Sequence, residues 1–102
     1  LTANFALGLQ EHNGGLPGID EAVRVTDQEA LDMAHHLLRH EGLFLGSSAA
    51  VNCVAAVKVA RRLHAGSVVA TILCDSGQRH LTKFYSSTAW EDYGLRPPKA
   101  YE

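Results

Sequence analysis

The spacing of apolar positions changes repeatedly along the chain, and each change marks an element. At residues 22–25, Ala-Val-Arg-Val alternates as a short strand or sheet edge would. Thr26 and Glu29 then form an S/T-x-x-E capping box, in which hydroxyl and carboxylate satisfy orphan amides reciprocally. Asp27 and Glu29 put negative charge at the positive end of the coming helix dipole. Ala30, Leu31, Ala34, Leu37 and Leu38 recur at helical spacing, and Gly42 supplies a stop near residue 41, after His36, Arg39 and His40. Leu43, Phe44 and Leu45 form a brief buried-strand candidate, closed by Gly46, Ser47 and Ser48. Residues 49–63 read as a second helix, with Val51, Val54, Ala55 and Val59 apolar and Lys58, Arg61 and Arg62 facing solvent.

Residues 67–73 are apolar on both faces, the pattern of a central parallel strand. A turn at Cys74, Asp75, Ser76 and Gly77 follows, then a short helix over 78–85 and an irregular, surface-lying tail over 86–102. Ahead of all this, residues 1–20 read as irregular, because Gly and Pro crowd positions 13–18. The order strand, helix, strand, helix, strand predicts an α/β fold with a parallel sheet and right-handed crossovers. Three strands are few for such a sheet, so this is a partial three-layer arrangement whose remaining strands belong upstream or on a partner.

Composition narrows the function classes. The chain has 102 residues, 46% hydrophobic and 20% charged, which suits one small folded unit. A net charge of -2 provides no basic face for nucleic acid. The sequence has neither an apolar run of membrane-spanning length nor a signal-peptide pattern, so a cytoplasmic protein is expected. Leu1 in place of an initiating Met reads as a fragment of something longer. Cys53 and Cys74 are too few and too far apart for a disulfide framework or a CxxC pair, and Cys53 is expected in a core.

Two turns carry the candidate chemistry, each following the C-terminal end of an expected strand, where open α/β sheets bind ligands. At Gly46, Ser47 and Ser48, small residues admit a ligand to the backbone, but a serine N-cap explains them equally. At Asp75, Ser76 and Gly77 the rival is an ordinary polar turn. Spacing alone leaves both open. His35, His36 and His40 sit near metal-binding spacing, yet no third ligand completes a set, so solvated histidines and no metal site are expected. Trp90, Tyr93 and Tyr101 suit either an oligomer contact or a tail packed across its own subunit.

Read together, several runs resemble a family. These are EGLFLGSSAAVN at 41–52, VVATILCDSG at 68–77 and RHLTKFY at 79–85, with TANF at 2–5 and IDEAVRVTDQEA at 19–30. They resemble the C-terminal part of cysteine synthases and cystathionine β-synthases, which are fold-type II pyridoxal-phosphate enzymes. The resemblance covers nearly the whole chain to about Ser86. It implies that Gly46 ends a strand and that the Ser48 hydroxyl bonds the pyridine nitrogen of pyridoxal 5'-phosphate, with Asp75 and Ser76 in a turn near the same ring. Ala50 departs from the pattern, since many relatives carry Gly there.

The resemblance further implies a longer parent, a homodimer, that replaces the β-substituent of an activated serine such as O-acetylserine with sulfide, giving L-cysteine. Cystathionine β-synthase and cysteine desulfhydrase share the scaffold and stand as alternatives, and a non-catalytic packing module is the rival from another class. The family's Schiff-base lysine, substrate-carboxylate loop and phosphate-binding loop lie upstream of anything resembling Leu1. Lys58, Lys83 and Lys99 do not match that lysine's setting. No catalytic residue is therefore expected in this chain, and no activity from it alone.

Overall fold

The computed structural model describes residues 2–3 and 20–99. The irregular segment expected over 1–20 lies outside the described residues except at Thr2, Ala3 and Asp20, and so does Tyr101. Strand β1 (Thr2–Ala3) pairs antiparallel with β2 (Val25–Thr26), Thr2 opposite Thr26 and Ala3 opposite Val25.

Helix α1 (Asp27–Glu41) begins and ends where its signals stand. The Glu29 amide donates to Thr26 Oγ1 at 3.2 Å, and the Thr26 amide donates to Glu29 Oε1 at 2.9 Å. Gly42 closes the helix at φ 70°, a left-handed cap that costs glycine little. Helix α2 (Ser47–Ala60) starts earlier and stops sooner than the expected 49–63. A 3₁₀ turn (Gly77–His80) stands where a helix over 78–85 was expected, and α3 (Ser87–Asp92) makes part of the tail helical.

The core lies between the two long helices. Ala30, Leu31 and Ala34 of α1 meet Ala50 and Val54 of α2, with Val25 and Phe84 completing the cluster. Small residues on both faces let two helices approach closely. The tail is strapped to α1 by polar contacts. Arg96 donates through both terminal guanidinium nitrogens to Asp32, at 3.2 and 2.5 Å, while the Arg96 amide donates to Gln28 Oε1 at 3.0 Å. Trp90 Nε1 donates to Phe84 O at 2.8 Å, so this part of the tail packs across its own chain.

The expected parallel sheet is corrected. Among the described residues there is no parallel ladder; Leu45 makes one antiparallel bridge, to Ser76. Residues 67–73 are not a strand. Val68 is 93% exposed and Ile72 70%, and Asn52 Nδ2 reaches across from α2 to Ile72 O at 2.9 Å. The reason is physical. A segment apolar on both faces is buried only when strands flank it and helices cover it. Among the described residues no strand flanks residues 67–73, and the Asn52 contact from α2 leaves Val68 and Ile72 uncovered.

His35 is the second correction, because it is buried (4% exposed) rather than solvated. Its Nε2 lies 2.8 Å from Phe84 O, a carbonyl that can only accept, so the Nε2–H donates. Phe84 O thus takes one donor from α1 and one, Trp90, from α3. The ring also stacks 4.9 Å from Tyr85 and meets Trp90 edge-on at 5.1 Å.

Two predictions arise from the helix α1 contacts. Thr26→Ala should cost about 1 kcal/mol of stability, read from the midpoint of urea unfolding. Burial holds the His35 pKa below its ordinary value of 6.5, against the opposing Phe84 hydrogen bond and Asp32 charge. Below pH 6.5 the unfolded chain therefore takes up a proton that the folded chain resists. This contribution to stability should be whole above that pH and decline on acidification. His35→Gln should flatten that decline in unfolding curves taken across the range.

Candidate functional site

Two turns cross at the site, and each makes room for the other. The Gly46 amide donates to Asp75 O at 3.0 Å and the Gly77 amide donates to Phe44 O at 3.1 Å, around the Leu45–Ser76 bridge. A Cβ on residue 46 would fall 2.0 Å from Asp75 Oδ1 and 2.8 Å from His80 Nε2. A Cβ on residue 77 would fall 2.3 Å from the Phe44 ring. A side chain at either position would force its neighbour to move, the Asp75 carboxylate at residue 46 and the Phe44 ring at residue 77. Gly46 itself has φ -76°, an ordinary extended conformation, so the constraint is steric and not conformational.

The structure thus gathers Gly46, Asp75 and Ser76 into one bridge, with Ser48 just beyond Gly46 in the first turn of α2. Gly46 is the N-cap of α2, and no side chain caps this helix end. The reading of Ser48 as an N-cap therefore falls, and Ser48 is exposed. Ser76 does what a turn serine does. Its hydroxyl accepts from the Gln78 amide at 3.3 Å and caps the 3₁₀ turn.

Asp75 has a divided environment. Its Oδ2 accepts from His80 Nε2 at 3.0 Å, while its Oδ1 is buried with no hydrogen-bond partner. Tyr85 supports the first turn from below, its hydroxyl donating to Leu45 O at 2.5 Å and its ring 4.8 Å from Phe44. Sequence reasoning missed His80, Tyr85 and Phe44 as site residues. The glycines could have pointed to Phe44, since a required glycine implies a bulky neighbour, but nothing in the spacing names which one.

Other candidates resolve simply. Lys58 pairs with Glu29 at 2.6 Å and donates to Arg24 O at 2.9 Å. Lys83 and Lys99 are exposed. Among the described residues no group of three or more metal-ligating side chains converges, and the His36 and His40 rings simply lie 4.7 Å apart. Cys53 is half-buried rather than fully in the core, and burial raises its thiol pKa, which disfavours the reactive thiolate. Cys74 is exposed. No helix among the described residues is long and apolar enough to cross a membrane.

Comparison with known proteins points to a family. The model of the family described as pyridoxal-phosphate dependent enzyme matches residues 13–75. A cysteine synthase of Dictyostelium discoideum is 49% identical over 78 residues, 76% of this chain and 21% of that protein. Cysteine synthase 2 of Neurospora crassa is 63% identical over 77 residues, 76% of this chain and 16% of that protein. A cysteine synthase of Saccharomyces cerevisiae whose name places it in mitochondria is 49% identical over 95 residues, 93% of this chain and 22% of that protein. This chain belongs to the pyridoxal-phosphate dependent enzyme family. It spans about a fifth of the length of these curated relatives.

The crossed glycines make a direct prediction. Gly46→Ala should cost about 1–3 kcal/mol, the range for forcing extra atoms into a packed site. Asp75→Gly in the same chain should recover much of that loss, because it removes the carboxylate that the new methyl would strike. Thermal unfolding of the single and double variants checks both.

Proposed function

We propose that this chain forms the part of a pyridoxal-phosphate dependent cysteine synthase that meets the nitrogen end of the cofactor's pyridine ring. Ser48 contacts the ring nitrogen, Gly46 belongs to the turn that leads into it, and Asp75 and Ser76 line the adjoining turn. The observation that carries this reading is an exposed Ser48 hydroxyl that caps nothing, in the first turn of α2 just beyond the buried Gly46. Those features fit a flat ring with one acceptor nitrogen, and the family match supplies the cofactor.

Pyridoxal phosphate, when bound, supplies the electron sink that lets an amino acid lose its β-substituent. The contribution of Ser48 is to be neutral. A carboxylate beside the ring nitrogen would hold a proton there by charge attraction, whereas a hydroxyl can hydrogen-bond the nitrogen without that bias. The ring then withdraws electrons less strongly, which suits β-replacement. The reaction proposed for the whole protein is replacement of the leaving group of an activated serine by sulfide, giving L-cysteine, in keeping with relatives named cysteine synthase. The whole protein is read as a homodimer. Two unpaired cysteines fit a reducing compartment, the cytoplasm in this reading, with the mitochondrial name of the yeast relative marking the alternative. By itself this chain is inactive in this reading, because the lysine and the phosphate loop of the family resemble nothing in it.

Substitutions at Ser48 in the full-length enzyme test the assignment. Ser48→Ala should retain cofactor but lose specific activity, without the loss of about 1 kcal/mol that removing a helix cap would bring. Ser48→Asp should raise the pKa of the ring nitrogen and shift the absorbance of the bound cofactor. An unchanged spectrum and rate in Ser48→Asp would overturn the role of Ser48 and turn attention to Ser76.

A further inference from the structure

Beneath the Gly46 turn lies a contact with no assigned task. Asp75 keeps one carboxylate oxygen buried and unpartnered against Gly46, an arrangement that costs desolvation free energy. A half-exposed carboxylate in that position has reason to swing outward and wet both oxygens. What opposes the swing is the hydrogen bond to its other oxygen from His80 Nε2, at 3.0 Å. An ionised carboxylate only accepts, so Nε2 carries the hydrogen. His80 in turn belongs to the 3₁₀ turn (Gly77–His80), whose first residue donates to Phe44 O, and its own carbonyl accepts from the Lys83 and Tyr85 amides at 3.1 and 3.2 Å. The imidazole is thus held by a turn that is itself bonded to the residues preceding Gly46.

We propose that His80 is a positioning residue, which acts through Asp75 to hold the Gly46 backbone in place and so sets where α2 presents Ser48. The geometry closes a loop of contacts. The Gly46 amide bonds Asp75 O, the Asp75 carboxylate fills the space a Cβ of residue 46 would take, and His80 Nε2 lies 2.8 Å from that same point. Gly46 is therefore confined by backbone on one side and by the Asp75–His80 pair on the other. Ser48 is two residues further on, in the first turn of a rigid helix. A shift at Gly46 moves the start of that helix, and a misplaced hydroxyl loses its contact. His80 itself touches neither cofactor nor substrate in this scheme. Its part in cofactor binding rests on the Ser48 assignment made above, whereas the hold on Gly46 does not.

The test uses the full-length enzyme loaded with pyridoxal phosphate and has two independent readouts. Amide hydrogen exchange at residues 44–48 reports the hold on the turn, and the absorbance and emission of the bound cofactor report Ser48. In His80→Ala, exchange at the Gly46 amide should rise about tenfold, the scale of losing one hydrogen bond to a charged group. The cofactor should stay bound and its spectrum should shift in the direction seen for Ser48→Ala. His80→Gln, whose amide can still donate to Asp75, should recover both signals in part. In a Ser48→Ala background, His80→Ala should add nothing further to the spectrum, since both changes would remove one contact. Unchanged exchange in His80→Ala overturns the hold on Gly46 even where Ser48→Ala alters the spectrum. Raised exchange with a spectrum that neither Ser48→Ala nor His80→Ala moves overturns the Ser48 assignment instead, and the positioning role with it. Additive spectral effects in the double variant also overturn it, as does lowered thermal stability with exchange and spectrum as in the unaltered enzyme.

Discussion

Two glycines face each other's neighbours across the Leu45–Ser76 bridge, and the site exists because neither has a side chain. The Asp75 carboxylate occupies the space at Gly46 and the Phe44 ring occupies the space at Gly77. Each turn is thereby both the wall and the occupant of the other. The contact brings two distant stretches of the chain into backbone hydrogen bonding, from Gly46 to Asp75 and Gly77 to Phe44. Everything assigned to cofactor contact lies within two residues of that crossing.

The rest of the fold serves to hold the crossing still. Helices α1 and α2 pack through alanines, which fixes where α2 begins. Phe84 O gathers His35 from α1 and Trp90 from α3, and so anchors the segment that follows the 3₁₀ turn. Tyr85, next in the chain, reaches back to Leu45 O. A buried carbonyl with two donors is satisfied on both lone pairs, which resists exchange with water. Helix α1 is therefore linked to the site through Phe84 and Tyr85 without contributing a residue to it.

Where sequence and structure diverge, the divergence follows the range of the forces. The capping box at Thr26 and Glu29 and the Gly42 stop are local devices, each complete within six residues, and both stand where the pattern put them. The family was legible as resemblance, and the family match over residues 13–75 bears that out. Among the described residues the parallel sheet is not found, because residues 67–73 are apolar on both faces and no described strand flanks them. Burial is a property of surroundings, and a run of seven residues cannot supply its own. His35 fails as a solvated residue for the mirror-image reason. Its position beside His36 looks polar on the chain, but Phe84, Tyr85 and Trp90 enclose it from a segment nearly fifty residues away.

The sequence by itself determined the two long helices, the glycines at the turns, the apolar cluster of α1 and α2, and the family to which the chain belongs. These depend on periodicity, on caps that act over three to five positions, and on residue identities shared with relatives. Only the tertiary structure decided that Ser76 caps a turn while Ser48 caps nothing. Only it showed that Asp75 is held by His80 with one oxygen unmatched, and that a side chain at Gly46 or Gly77 would displace Asp75 or Phe44. Each of these depends on atoms from separate stretches of chain meeting within hydrogen-bond or van der Waals distance. That is a relation between positions which no local pattern encodes.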